Sequence, residues 1–252
     1  MHALFAIAAA SALDLLRRSG TLVLGSVGVL AVLSLRWFSA FGLGYEVVQL
    51  KEMAVYTIGL LAAVAAFLSA LPREDEPAEG PVPQLLARPV PAWLVSLGGW
   101  LGRLAALACL MLAWTAAVYA ALWWFKLADP RLFEYRGATS PFAEGHAVLA
   151  PVLAQFLAAA ILFAFAQLLS RTRRPVVIAI GLVLLYLLGY SAAALGEPWV
   201  RLLPDLGRHD LTPALWGPGG AALGPGLVLH ALAWCAVGLG LDSGVLRLRM
   251  AV

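Results

Sequence analysis

The chain has 252 residues, 62% hydrophobic and 12% charged, with a net charge of +3 and a mean hydropathy of +0.89. A soluble domain is about 45–50% apolar and about 25% charged, so this much apolar surface requires lipid as its solvent. The basic residues punctuate apolar runs and build no aromatic-interleaved groove, which excludes a nucleic-acid-binding surface.

Taken in order, residues 3–18 are apolar and small, then carry Asp14, Arg17 and Arg18. No Lys or Arg precedes the apolar stretch, as a secretory signal would require. The stretch reads as a retained helix lying in the membrane interface with Arg17 and Arg18 at the headgroups, or as an extension of the first span. A helix needs about 20 apolar residues to cross about 30 Å of hydrocarbon. Six segments qualify: residues 20–38, 53–71, 98–125, 147–169, 175–195 and 222–241. The second is preceded by Lys51 and Glu52 and the third ends in Trp123, Trp124, Phe125 and Lys126, an interface anchor. Arg171, Arg173 and Arg174 stop the fourth, Pro225 and Gly226 interrupt the start of the sixth, and Asp242 follows its end. The expected fold is all-α: one polytopic transmembrane domain over 1–252, with an N-terminal elbow helix and six spans.

With the N-terminus inside, ten basic residues fall on the inner side and seven on the outer. The tight clusters Arg17-Arg18, Arg171 to Arg174 and Arg247/Arg249 all fall inside, as the positive-inside rule demands, so both termini are expected to be cytoplasmic. The outer segments 126–146 and 196–225 are rich in Gly and Pro; short interfacial helices near Trp199 and Trp216 fit the second.

Motifs of self-contained chemistry are sparse. No G-x-x-x-x-G-K-S/T occurs, so no P-loop binds ATP here. The four histidines have no metal-site spacing, Cys109 and Cys235 lie apart inside apolar runs, and no cofactor is expected. Ser191 in the fifth span and His230 in the sixth offer a serine–histidine pair of the intramembrane hydrolase kind, weighed against a packing serine and a polar outer histidine. No charged residue lies clearly at a midplane: Arg103 can snorkel from the inner end of the third span, and Asp242 marks the inner end of the sixth. An ion-coupled carrier is disfavoured, and the driving force must then come from outside the chain. Gly98 and Gly102, a G-x-x-x-G at the start of the third span, allow close helix packing.

The cytoplasmic loop 72–97 is the stretch that looks built to meet a soluble partner. Acids Glu74, Asp75, Glu76 and Glu79 lead to Gln84, Leu85, Leu86, Ala87, Arg88, Pro89 and Val90, then to Trp93 and a glycine-rich span entry. In order, spacing and position this loop resembles the one between the second and third spans of type-2 ABC exporter permeases. Gly98-Gly99 stands where that family often has Gly-Lys, and the prolines are more numerous. Asp14 to Arg18 resembles the family's elbow, and Ser170 to Pro175 its fourth-to-fifth connection.

The resemblance implies a permease subunit in a bacterial inner membrane, paired with a second permease subunit, identical or not, and driven by a separate ABC ATPase seated on Gln84–Val90. Leu85, Leu86 and Val90 would insert into a groove of the ATPase while Arg88 makes a charge-assisted contact. The alternatives are an intramembrane hydrolase using Ser191 and His230, or a membrane assembly protein that transports nothing.

Overall fold

A computed structural model of the chain describes residues 2–39, 45–72, 90–135, 140–195, 203–216 and 222–250. Among these there is no strand. The helices are α1 (His2–Arg17), α2 (Ser19–Ser39), α3 (Glu46–Ala70), α4 (Ala92–Ala128), α5 (Pro130–Tyr135), α6 (Pro141–Ser170), α7 (Pro175–Leu195) and α8 (Pro225–Met250). Two 3-10 turns, Leu206–His209 and Thr212–Trp216, lie between α7 and α8. Six helices, α2, α3, α4, α6, α7 and α8, are long and apolar enough to cross a membrane. The protein is a multi-pass, all-α membrane protein.

α6 is the most enclosed of the six, with α3, α4, α7 and α8 packed around it. Its run Ala158 to Ala164 is buried at every position, which a helix tolerates only when surrounded. Ser140 caps it, its hydroxyl accepting from Ala143 N–H at 3.1 Å, and Pro141 occupies the first turn, where its missing N–H costs nothing. The outer helices turn broad apolar faces outward: Leu22, Val23, Val27 and Leu30 on α2, Ile180, Val183, Leu184 and Leu187 on α7, Leu229, Leu232 and Leu241 on α8. In water such faces would aggregate; in lipid they need no partner. Between helices, indoles supply polar ties: Trp114 Nε1 donates to Gly25 O at 3.2 Å and Trp100 Nε1 to Ala160 O at 3.1 Å. Gly28 leaves room for the Trp114 ring, which a Cβ would strike at 2.2 Å.

Several helix limits differ from the sequence expectation. α4 has 37 residues and is about 55 Å long, well beyond one hydrocarbon thickness. α3 starts at Glu46, so Lys51 and Glu52 lie inside the helix rather than before it. Lys51 is buried and its Nζ meets Glu144 Oε2 at 2.5 Å, a pairing that an apolar-run count does not register. Pro225 and Gly226 do not break the last span: Pro225 is the first residue of α8, where proline is compatible with a helix. α8 also runs on to Met250, so Asp242 lies within the helix and not at its end.

Contacts define the two ends of the bundle. One end gathers the starts of α2, α4 and α7 and the ends of α1, α3, α6 and α8; it carries Arg18, Arg103 and Arg171 and is called the arginine end. At the other end Trp37 stacks edge-on with Trp124 at 5.0 Å, and the Arg36 guanidinium lies 4.1 Å from the Phe125 ring centre. That pairing holds the ends of α2 and α4 together.

Candidate functional site

At the arginine end, four elements are joined by one carboxylate. Asp242 of α8 is fully buried. Its Oδ1 accepts from Arg171 Nε at 2.7 Å and its Oδ2 from Arg171 Nη2 at 3.1 Å, a bidentate pair. Oδ2 also accepts from Ser96 Oγ of α4 at 2.5 Å and Gln167 Nε2 of α6 at 2.8 Å. Gln167 Nε2 reaches Ser96 O as well, at 2.9 Å. A buried carboxylate is tolerable only when its lone pairs are filled in this way. The result locks α4, α6 and α8 and the turn after α6 into one block.

A second tie brings in α1, α2 and α3. Arg18, at the α1–α2 junction, donates from Nη1 to Leu68 O at 3.2 Å and Leu71 O at 3.3 Å, and from Nη2 to Asp14 Oδ2 at 3.1 Å. Those carbonyls belong to the last turn of α3 and just beyond it, where no intrahelical donor remains and the helix dipole is negative. Arg18 thus takes a helix-capping role through Nη1 and pairs with Asp14 through Nη2, while Arg17 is exposed.

α1 itself lies along the first turns of α4. A Cβ on Gly98 would come within 2.9 Å of the Ile7 side chain; one on Gly102 would come within 2.2 Å of Ala8 O and 2.7 Å of Ser11 Cβ. Gly98 and Gly102 therefore form the bed for α1, not a contact between two spans. Gly99, on another face, looks toward Gln167.

Of the coupling stretch, Gln84, Leu85, Leu86, Ala87, Arg88 and Pro89 lie outside the described residues, as do the acids from Glu74 to Glu79. Val90 is half-buried and leads through Pro91, extended at ψ 140°, into α4. The loop thus leaves from the α3 end that Arg18 holds and returns at the α4 start that α1 and Asp242 hold.

The opposite end is closed by the 203–216 segment. Tyr56 of α3 donates to Asp210 Oδ2 at 3.3 Å and receives Thr212 Oγ1 at 2.8 Å; Trp216 Nε1 donates to Glu52 Oε2 at 3.0 Å. The short turns expected near Trp216 are present. His209 is fully buried, its Nε2 lying 3.2 Å from His230 Nδ1 of α8. Ser191 is exposed on α7, and among the described residues no hydrogen bond joins it to His230, whose partner is His209 rather than a hydroxyl. No group of three or more potential metal ligands occurs among the described residues.

The groups facing His209 are the His230 ring, Asp205 and Arg208. Burial above all, then the His230 charge, pushes its pKa down to about 4 from the ordinary 6.5. A base whose pKa falls on folding leaves the unfolded chain with more bound protons at acid pH. Stability from this site is therefore complete above about pH 6.5 and lost as pH falls toward 4, by an amount on the order of 2–3 kcal/mol. Thermal melts between pH 7 and pH 4 should show that loss, and His209→Asn should flatten it.

Neither a protein-family model nor a curated protein matches this chain.

Missed from sequence was the partnership of Ser96, Gln167, Arg171 and Asp242. One signal was there: an acid flanked on both sides by helix-compatible apolar sequence, Gly238-Leu239-Gly240-Leu241 before it and Val245-Leu246 after. An ionisable residue in such a run calls for a buried cation.

Proposed function

We propose that this chain is the permease subunit of an ATP-binding-cassette exporter in a bacterial inner membrane. It pairs with a second permease subunit and is driven by a separate ATPase through the loop 72–97, with both termini cytoplasmic. The transport chemistry of the chain is then mechanical, and it has no ATPase site of its own.

The observation that carries this reading is the bracing of the loop's two ends. Arg18 ties the end of α3 to α1 and α2, α1 lies on the glycine bed of α4, and Asp242 ties α4 to α6 and α8. A push delivered to residues 72–91 enters elements that are already joined to each other, so little of it is lost in slack. Coupling through a short loop needs this property, because packed cores respond by switching between discrete arrangements and not by continuous yielding. The sequence adds the leucine pair, Arg88 and flanking prolines in the order the exporter loop shows.

The test is co-purification from native membranes. An ATPase subunit is expected to accompany the wild-type chain and to be released by Leu86→Asp combined with Arg88→Glu, with transport-linked ATP hydrolysis lost. An ATPase that stays bound to the double variant would sink the assignment of this loop. A chain that purifies with no ATPase at all would sink the exporter reading.

A further inference from the structure

We propose that Arg103, with Arg18 and Arg171 beside it, forms a binding site for a phosphate oxyanion at the arginine end of the bundle, filled from the membrane by the headgroup of an anionic lipid. The proposal is independent of the exporter reading; it concerns what the buried charge at this end requires.

Arg103 stands seven residues beyond Ser96 on α4, two helical turns along the same face. The charged groups around it are Arg171, Arg18, Asp242 and Asp14. That is three guanidinium groups against two carboxylates. Asp242 is engaged by Arg171 in a bidentate pair, and Asp14 by Arg18. Among the described residues no carboxylate pairs with Arg103 itself.

The hydrogen-bond count points the same way. Arg103 Nη1 and Arg18 Nε are both buried and have no acceptor. A guanidinium N–H sequestered without an acceptor is strongly unfavourable, and Arg103 and Arg18 lie within electrostatic reach of each other, so one acceptor group with several oxygens can serve both. That group must be anionic, to balance the charge, and must present several oxygens, to meet donors from different side chains. Phosphate satisfies both, and arginine's planar fork is suited to it.

Placement favours a lipid as the source. Arg18 and Arg171 lie at helix termini, beside the connections 17–19 and 171–174, and Arg103 lies three turns into a helix that overshoots the hydrocarbon. The faces of α2 and α8 next to this end are apolar and exposed, so acyl chains can lie against them while the headgroup turns inward. The α1 helix covers α4 at Gly102, the residue next to Arg103. Snorkelling of Arg103 toward water, expected from its sequence position, would leave Nη1 solvated; it is buried instead.

The experiment uses the full-length protein purified and reconstituted into nanodiscs of phosphatidylcholine, with or without phosphatidylglycerol, alongside Arg103→Gln and Arg103→Lys. Thermal stability and retained lipid, the latter by native mass spectrometry, are read for each. Phosphatidylglycerol should raise the wild-type Tm and be retained, with affinity for it about tenfold weaker in Arg103→Gln, the loss of one charge-assisted contact. Arg103→Lys should keep part of the preference, because the charge remains without the fork. Arg36→Gln, at the opposite end, should behave as wild type toward this lipid.

A parallel arm adds inorganic phosphate to protein in neutral detergent. A Tm rise there that Arg103→Gln abolishes, without lipid retention, keeps the oxyanion site but makes its source soluble phosphate. Equal response of wild type and Arg103→Gln to phosphatidylglycerol, or no response of the wild type to either anion, overturns the proposal. Because Arg103→Gln removes a half-buried charge whose Nη1 has no acceptor, it should fold at least as well as wild type in phosphatidylcholine alone, so a null result cannot be blamed on misfolding.

Discussion

Asp242→Ala should lower stability by about 3 kcal/mol, the lower part of the range for breaking a buried ion pair from one side. The lower part applies because Arg171 keeps some exposure, 19% of its side chain, and can recover water once its partner is gone. Ser96 Oγ and Gln167 Nε2 have no such escape, since both residues are buried. The loss should appear as a fall in Tm in mild detergent and as faster hydrogen exchange in the last two turns of α8. Asp242→Asn keeps an acceptor for Ser96 or Gln167 and should lose about half as much. Arg171→Met combined with Asp242→Leu removes both charges together and should recover most of the stability, because a buried ion pair and an apolar pair of similar volume are often near parity. A double variant no more stable than Asp242→Ala would mean that the carboxylate matters through Ser96 and Gln167 alone.

Gly102→Val is the second substitution with a large expected effect. Its Cβ would meet Ala8 O at 2.2 Å, Ser11 Cβ at 2.7 Å and Ala12 N at 3.0 Å. Two of these three are backbone atoms of α1 and cannot rotate away. Either α1 lifts from α4 or α4 shifts, and the cost is at least the 1–3 kcal/mol typical of overpacking. We expect α1 to lift, since residues 2–17 have one buried side chain, Leu15, to hold them and the spans have many. Hydrogen exchange across residues 2–17 should rise sharply in this variant while α6 stays protected. Gly240→Ala is the control: nothing lies within 4 Å of the added Cβ, so it should be neutral or slightly stabilising. Exchange in α1 unchanged by Gly102→Val would show that the helix is held by something other than its glycine bed.

Both effects sit at the arginine end, and the sequence led only part of the way there. The six spans were readable because each is a long apolar run closed by charge, Pro or Trp, and lipid demands that pattern of any helix it surrounds. Gly98 and Gly102 were readable as a close-packing pair, but their partner was not. A G-x-x-x-G says that something approaches a helix closely; whether it is another span or the elbow depends on where the chain returns. Arg18 was placed correctly at a junction, and its acceptors were invisible because they are backbone carbonyls 50 and 53 residues away.

Lys51 and Asp242 are the instructive misreadings. A hydropathy count treats charge as a terminator and so sets both outside the spans. Each lies inside a helix and faces a charge of opposite sign, Glu144 or Arg171. A charge in a membrane helix is affordable when neutralised at close range, and close range is a property of the pair, which a single-residue scale cannot score. His209 and His230, 21 residues apart, became neighbours only because the 203–216 segment folds back against the start of α8.

By itself, then, the sequence determined the solvent, the helical class, the number of spans and the end at which arginines collect, since these depend on local composition and on the hydrogen-bonding demands of a backbone in hydrocarbon. Only the tertiary structure decided which polar groups meet. It put one carboxylate between Ser96, Gln167 and Arg171, laid α1 on two glycines, and left Arg103 Nη1 without an acceptor, because those outcomes turn on distances of a few ångströms between residues far apart in the chain.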